Sequence, residues 1–168
     1  MADEAEGPRA EGCGAVNVSL FAIGHVRGGR DRVEDDQWGH VEAVIELDPA
    51  RFGPEALEGL DEFSHVEVIF LFDRVDENAV HTGARHPRGM SDWPCVGIFA
   101  QRGKDRPNRL GLTTCEVIGI KGLSVSVRGL DAVNGTPVLD LKPVMSGFRP
   151  RGELREPQWA RDIMKDYW

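Results

Sequence analysis

Along most of this chain hydrophobic and polar residues alternate with a period of two, and a helical period appears only near the end. Residues 16–27, VNVSLFAIGHVR, put Val16, Val18, Leu20 and Ala22 on one parity, and residues 40–48 repeat the pattern with Val41, Ala43, Ile45 and Leu47. Each run predicts a strand with one face toward a core. His65–Phe72, HVEVIFLF, is almost unbroken β-branched and aromatic sequence, which predicts a strand buried on both faces with Glu67 as its exception. Further strands are expected at 95–101, 112–120, 123–130 and 137–142. Between the second and third runs, Pro54 followed by Leu57 and Leu60 predicts one or two helical turns. Trp159, Ile163 and Tyr167, at i, i+4 and i+8, predict a short amphipathic helix. Residues 28–39 and 73–94 are polar, irregular and rich in turn residues; the second stretch is long enough to suggest a functional loop. About seven short strands with few helices predict a mainly β fold, a small antiparallel barrel with a short helix near 54–60 and a C-terminal helix.

Composition sharpens the boundaries. The first fifteen residues, MADEAEGPRAEGCGA, are acidic and lack the apolar core of a secretory signal, so 1–14 are read as a disordered leader. The barrel domain is then expected at 15–148, with a helical tail at 149–168. No apolar run reaches the roughly 18 residues that a membrane-spanning helix needs, so no membrane partner is expected. Cys13, Cys95 and Cys115 are far apart and odd in number, which argues against a disulfide framework or structural zinc and fits a reducing cytoplasm. His81, His86 and Asp92 in the long loop match no standard zinc spacing, so a metal-dependent hydrolase is the weakest of the readings.

The net charge of −8 conceals an asymmetry. Residues 1–80 carry 6 Lys/Arg against 19 Asp/Glu, and residues 81–168 carry 14 against 9. An acidic chain is a poor general nucleic-acid binder, but its basic second half leaves room for one RNA-facing surface. The basic residues concentrate in Gly97–Thr113, GIFAQRGKDRPNRLGLT, where Arg102, Lys104, Arg106 and Arg109 surround Pro107-Asn108. Such a loop is either a solvated turn between strands or a place to hold an anionic ligand through paired N–H donors. Neither G-x-G-x-x-G after a strand nor G-x-x-x-x-G-K-[ST] occurs, so dinucleotide and P-loop sites have no support.

Three ordered motifs carry a resemblance. Phe63-Ser64-His65 before an apolar strand, the run F-A-x-R-x-x-x-R-P-N-x-x-G from Phe99 to Gly111, and N-G-T-P-V-L-D-L-K-P from Asn134 to Pro143 together resemble the TsaA-like family, whose best understood members are the TrmO-type tRNA adenine-N6 methyltransferases. The resemblance spans roughly residues 20–145. It implies a small β-barrel that binds S-adenosylmethionine without a Rossmann core, as a homodimer with the cofactor near the subunit interface. The implied reaction is methyl transfer to N6 of a threonylcarbamoylated adenosine beside the tRNA anticodon. On these motifs the cofactor-contacting set comprises Phe63, Ser64, His65, Ala100, Arg102, Arg106, Asn108, Leu110, Gly111, Val138, Leu139, Asp140 and Lys142. Arg102 and Arg106 are candidates for the cofactor carboxylate or a substrate phosphate, and Asp140 for the ribose or the ammonium. Asn108 both donates and accepts, while Leu110-Gly111 and Val138-Leu139 offer backbone to the adenine edge. His65 and Asp140 are the catalytic candidates, as acceptors for the proton of the amine, with a backbone carbonyl as the alternative. Phe63, Trp93 and Phe148 are candidate platforms for an unpaired base.

Structural alternatives stand beside these assignments. Asp140 and Lys142 share a parity and can simply pair in solvent, His65 can be a core histidine, and Asn134-Gly135 is a strong turn in its own right. The chain also departs from the family pattern. R-P-N-P-I-G becomes Arg106-Pro107-Asn108-Arg109-Leu110-Gly111, D-G-T-P becomes Asn134-Gly135-Thr136-Pro137, R-S-P becomes Arg102-Gly103-Lys104, and Val144 replaces the aromatic that often follows K-P. The sequence ends at Trp168 without the extra C-terminal domain of longer members. The expectation is retained cofactor binding with a less certain methyl acceptor. The contrasting expectation is a non-catalytic cofactor-binding or regulatory module.

Overall fold

The computed structural model describes residues 16–168; the leader expected at 1–14 lies outside the described residues. Six antiparallel strands close into a barrel in the order β1-β2-β7-β6-β3-β8, with β8 pairing back onto β1. The strands are β1 (Gly24–Gly28), β2 (Glu42–Leu47), β3 (His65–Leu71), β6 (Leu110–Lys121), β7 (Ser124–Arg128) and β8 (Pro137–Pro143). Two further strands, β4 (Ala84–Arg85) and β5 (Val96–Gly97), form a separate two-stranded ribbon. Closure removes every edge from the main sheet. A mainly β antiparallel barrel is therefore what the alternation foretold.

Inward positions follow the period of two. Val26, Ala43, Ile45, Val66, Val68, Phe70, Cys115, Val125, Val127 and Val138 are buried and fill the interior. The link from β7 to β8 closes one end, where Leu130, Ala132 and Val133 are buried as a plug. At the other end the single-turn 3-10 segments Pro54–Leu57 and Leu60–Glu62 drop Leu57 into the core. They flank an open cleft of about 500 Å³ lined by Ile23, Leu47, Phe52, Leu60, Phe63 and Leu141.

Three sequence expectations need correction. The strand expected at 16–27 is confined to Gly24–Gly28, because β8 accompanies β1 only as far as the Ile23 N–H to Val138 carbonyl bond. Val16, Val18 and Leu20 keep their alternation but have no sheet to lie on and are exposed. β3 is buried on one face only: Val66, Val68 and Phe70 point inward, while Glu67, Ile69 and Leu71 are half-buried on the outside. No second layer of helices covers that outer wall, the condition a doubly buried strand requires. The strand expected at 95–101 shrinks to Val96–Gly97, followed by the 3-10 turn Ile98–Ala100. The tail forms a six-residue helix, α1 (Gln158–Ile163), and Tyr167 lies beyond its end.

Candidate functional site

The basic loop is rigid for a reason the motif does not display. Gln101 is buried, and its side-chain amide donates to the carbonyls of Arg85 (3.0 Å) and Val96 (2.9 Å), fastening the loop to both strands of the ribbon. Arg85 in turn pairs with Asp105 at 2.8 Å. Arg106 donates to the Gln101 carbonyl at 3.1 Å, so its guanidinium braces the loop. Arg109 is also turned to structure, donating to the Val75 carbonyl at 2.9 Å and meeting Glu77 at 3.3 Å. Arg102 and Lys104 are exposed. Arg102 donates to the Leu112 carbonyl, which lays its charged group along the outer wall of β6.

That wall unites part of the expected set. Register places Leu112 opposite Ile69, and Ile69 opposite Asp140, so the three form one outward row. A bulge at Leu139 lets Val138 and Leu141 face inward while Asp140 faces out. Leu110 and Leu112 are partly exposed beside Ile69 and Leu71, making an apolar wall with Arg102 on one flank and Asp140 on the other. Asp140 meets Lys142 at 2.8 Å, and its other oxygen accepts the Leu141 N–H at 2.9 Å. The solvent-facing pairing weighed for these two residues is therefore what the structure contains. Val138 is fully buried, so only its backbone is offered, and its carbonyl is already taken by Ile23. Gly111 is packed under Phe70, whose ring occupies the space where a Cβ would lie. Ala100 and Asn108 are exposed, and Asn108 sits at φ 63°.

Ser64 and His65 lie elsewhere, whereas Phe63 shares the lining of the open cleft with Asp140. His65 is exposed at the start of β3, with its Nδ1 2.8 Å from the Ser64 hydroxyl, so it is not a core histidine. Asp140 is registered with Ile69, four residues further along β3, or roughly 13 Å at strand rise. The two catalytic candidates thus do not face one proton within a single copy. Phe63 lines the open cleft. Of the aromatic platforms, Phe148 is exposed, and Trp93 is half-buried with its carbonyl 2.6 Å from His86 Nδ1. Among the described residues no three His, Cys, Asp or Glu side chains gather as a metal site.

Sequence reasoning missed the polar network at the plugged end. Asp131 accepts from the Thr113 hydroxyl with one oxygen and from the Tyr167 hydroxyl with the other. Burial first, then the charge of Asp131, pushes the Tyr167 phenol well above its ordinary value, while Arg88 and Arg102 pull the other way. Arg88 grips both oxygens of Asp36 at 2.6 and 3.0 Å. Nearby, Arg74 donates to the carbonyls of Asp31 and Asn134, both at 2.8 Å, tying the 28–39 loop to the Asn134-Gly135 turn. The Asn134 amide donates to Asp31 at 3.0 Å and accepts the Gly28 N–H at 3.3 Å. A carboxylate at 134 would face Asp31, so the departure from D-G-T-P has a local electrostatic cause. Asp131 stands just before the Asn134–Pro143 motif and Thr113 just after the Phe99–Gly111 run; Arg88 carries no spacing signal, and the spacing that marks Tyr167 reads it only as an apolar helix position.

The strand that continues the Phe99–Gly111 motif thus meets the β7–β8 link through Thr113 and Asp131, and among the described residues the barrel carries no Rossmann element. The sequence profile of the tRNA-methyltransferase O N-terminal domain matches residues 35–148. The chain belongs to that family. Among solved structures, TrmO from Pseudomonas aeruginosa aligns with TM-score 0.70 and 26% identity, covering 88% of this chain and 63% of that one. The human tRNA (adenine(37)-N6)-methyltransferase is 32% identical over 102 residues, 61% of this chain and 23% of its own length. RcsF of Pseudomonas aeruginosa is 38% identical over 100 residues, 60% of this chain and 43% of its own. VirR of Rhizobium radiobacter, named a probable S-adenosyl-L-methionine-binding protein, is 28% identical over 142 residues, 83% of this chain and 78% of its own. The chain therefore spans under half of the first two curated relatives and most of the third. The family barrel is the part they share.

Proposed function

We propose that this chain is an S-adenosylmethionine-dependent methyltransferase that methylates N6 of a threonylcarbamoylated adenosine beside a tRNA anticodon. The observation that carries the reading is the convergence of Arg102, Thr113 and Asp131 beside the apolar row Leu112–Ile69–Asp140. The donor set suits the cofactor: a guanidinium for its carboxylate and a carboxylate–hydroxyl pair for ribose hydroxyls or the ammonium. Bound there, S-adenosylmethionine supplies a methyl group already activated by its sulfonium. The protein's work is then alignment and exclusion of water. Leu110, Leu112 and the backbone at Gly111 wall the site, while Arg106 and Asn108 hold the loop over it. The amine that receives the methyl becomes a strong acid as the C–S bond breaks, so even an ion-paired carboxylate such as Asp140 suffices to accept its proton.

Two copies are part of this reading. The wall of Leu110, Leu112 and Ile69 is open in one copy, and a second copy is its occupant in this reading. The basic second half supplies the tRNA-facing side, and no helix among the described residues is long and apolar enough to cross a membrane. The test is calorimetric titration with S-adenosylmethionine, followed by transfer of labelled methyl to unmethylated tRNA. Saturable binding abolished by Arg102→Ala, with transfer to tRNA, supports the reading. Binding without transfer to any RNA leaves the cofactor-binding module instead, the class in which VirR is named.

A further inference from the structure

Residues 166–168 lie across the polar network at the plugged end. The Asp166 carbonyl accepts the Gln37 backbone N–H at 2.8 Å and the Gln37 side-chain amide at 3.0 Å. The Tyr167 carbonyl accepts the Trp38 N–H at 2.7 Å, and the Tyr167 hydroxyl donates to Asp131. Arg88 and Arg102 both act electrostatically on the phenol. The surface under this segment therefore presents three N–H donors and one carboxylate acceptor, with the guanidinium groups of Arg88 and Arg102 engaged by Asp36 and by the Leu112 carbonyl. Those are the complements of a nucleoside that carries hydroxyls and an anionic carboxylate.

The segment itself is held weakly. None of residues 151–168 is buried, and the helix that leads into it has six residues. Its hold on the barrel consists of these few hydrogen bonds and the Trp168 backbone lying against Gly39. Arg102 belongs to the Phe99–Gly111 motif on which the proposed site rests, and Thr113, which the segment reaches through Asp131, follows it on β6. A ligand making the same bonds has no room while Tyr167 is in place.

We propose that residues 166–168 occupy the nucleoside groove of the cofactor site and are displaced when S-adenosylmethionine binds. The proposal rests on the methyltransferase reading above. Displacement makes the segment a competitor of the cofactor, with the Tyr167 hydroxyl standing in for a ligand hydroxyl. Removing that hydroxyl shifts the competition toward the ligand.

The experiment uses the full chain, its Tyr167→Phe variant and its Tyr167→Ala variant, each checked for an unchanged circular dichroism spectrum. Titration with S-adenosylmethionine is expected to give binding about tenfold to a hundredfold tighter for Tyr167→Phe, given the worth of one hydrogen bond to a charged acceptor. Tyr167→Ala should bind at least as tightly as Tyr167→Phe. In parallel, trypsin cleavage after Lys165 in the wild-type chain, followed by mass spectrometry, is expected to accelerate when the cofactor is added. Weaker binding by both variants together with cofactor protection of Lys165 would overturn the proposal and make the segment a wall of the site. Unchanged affinity and unchanged cleavage would overturn it by putting the cofactor elsewhere. Failure of all three proteins to bind S-adenosylmethionine would instead strike the methyltransferase reading.

Discussion

Arg109 stands at φ 52°, which the pyrrolidine ring of a proline cannot reach. The exchange of proline for arginine in the R-P-N motif therefore goes with a different local backbone, and the new side chain pays it back by bonding Val75 and Glu77. Sequence alone showed that a charge replaced a ring; it did not show that this charge turns to Val75 and Glu77. Gly111 teaches the same lesson. It was read as backbone for an adenine edge, yet its missing side chain is what admits the Phe70 ring. Gly111→Ala is expected to destabilise the barrel by about 1–3 kcal/mol through overpacking, read as a lowered denaturant midpoint; an unchanged midpoint would show that Phe70 repacks freely. Cys115 gives a second prediction at this scale. Burial, and then the neighbouring Asp131, push its thiol from the ordinary 9.0 up to about 12. The folded state thus keeps a proton that the unfolded chain loses, so this contribution to stability is whole below pH 9 and is lost as pH rises from 9 toward 12. The melting temperature should fall across that window, and fall less steeply in Cys115→Ala. Equal slopes in the two proteins would assign the loss to other groups.

Elements were legible where a partner strand exists along the whole alternating run. β2 and β7 lie within the stretches that periodicity marked, each flanked by two neighbours along most of its length, and β6 and β8 overrun theirs by one to two residues at their ends. Residues 16–22 alternate just as well but run past the end of β2, and β8 bulges away from them after Val138; periodicity carries no information about where a partner ends or turns aside. The same limit hid the ribbon: two residues on each side are too few to show a period, and what holds β4 to β5 is mostly Gln101. Gln101→Leu is expected to leave the carbonyls of Arg85 and Val96 unpaired. Hydrogen exchange should then quicken at residues 84–109 while β3 and β6 keep their protection, since local opening is governed by local contacts. Uniformly faster exchange over the barrel would mean instead that the loop and barrel open as one unit. The chemistry of the basic loop depends on this staple, because Arg102 is aimed by it.

At the scale of the molecule, the question is what covers the outer wall of β6 and β3. Strand β3 has a composition suited to burial on both faces, yet in a single copy Ile69 and Leu71 are only half-buried, and Leu110 and Leu112 remain partly open. Sequence read that composition as burial on both faces; among the described residues nothing covers the outer face, and the composition is satisfied if a second barrel lies against it. Charges at the borders of the wall, Arg102 on one side and the Asp140–Lys142 pair on the other, supply the polar rim that interfaces of this kind carry. Sedimentation equilibrium at micromolar concentration is expected to give twice the chain mass of 18.5 kDa. Leu112→Asp puts a charge at the centre of the wall without touching the barrel interior. It should shift the species to monomer with little change in the circular dichroism spectrum. If the cofactor is shared across the interface, the same variant loses S-adenosylmethionine affinity together with dimerisation. A Leu112→Asp protein that is monomeric yet binds the cofactor normally would show that one copy holds a complete site. A wild-type chain that sediments as a monomer would remove the second copy from the reading and leave the apolar wall as a surface for the RNA.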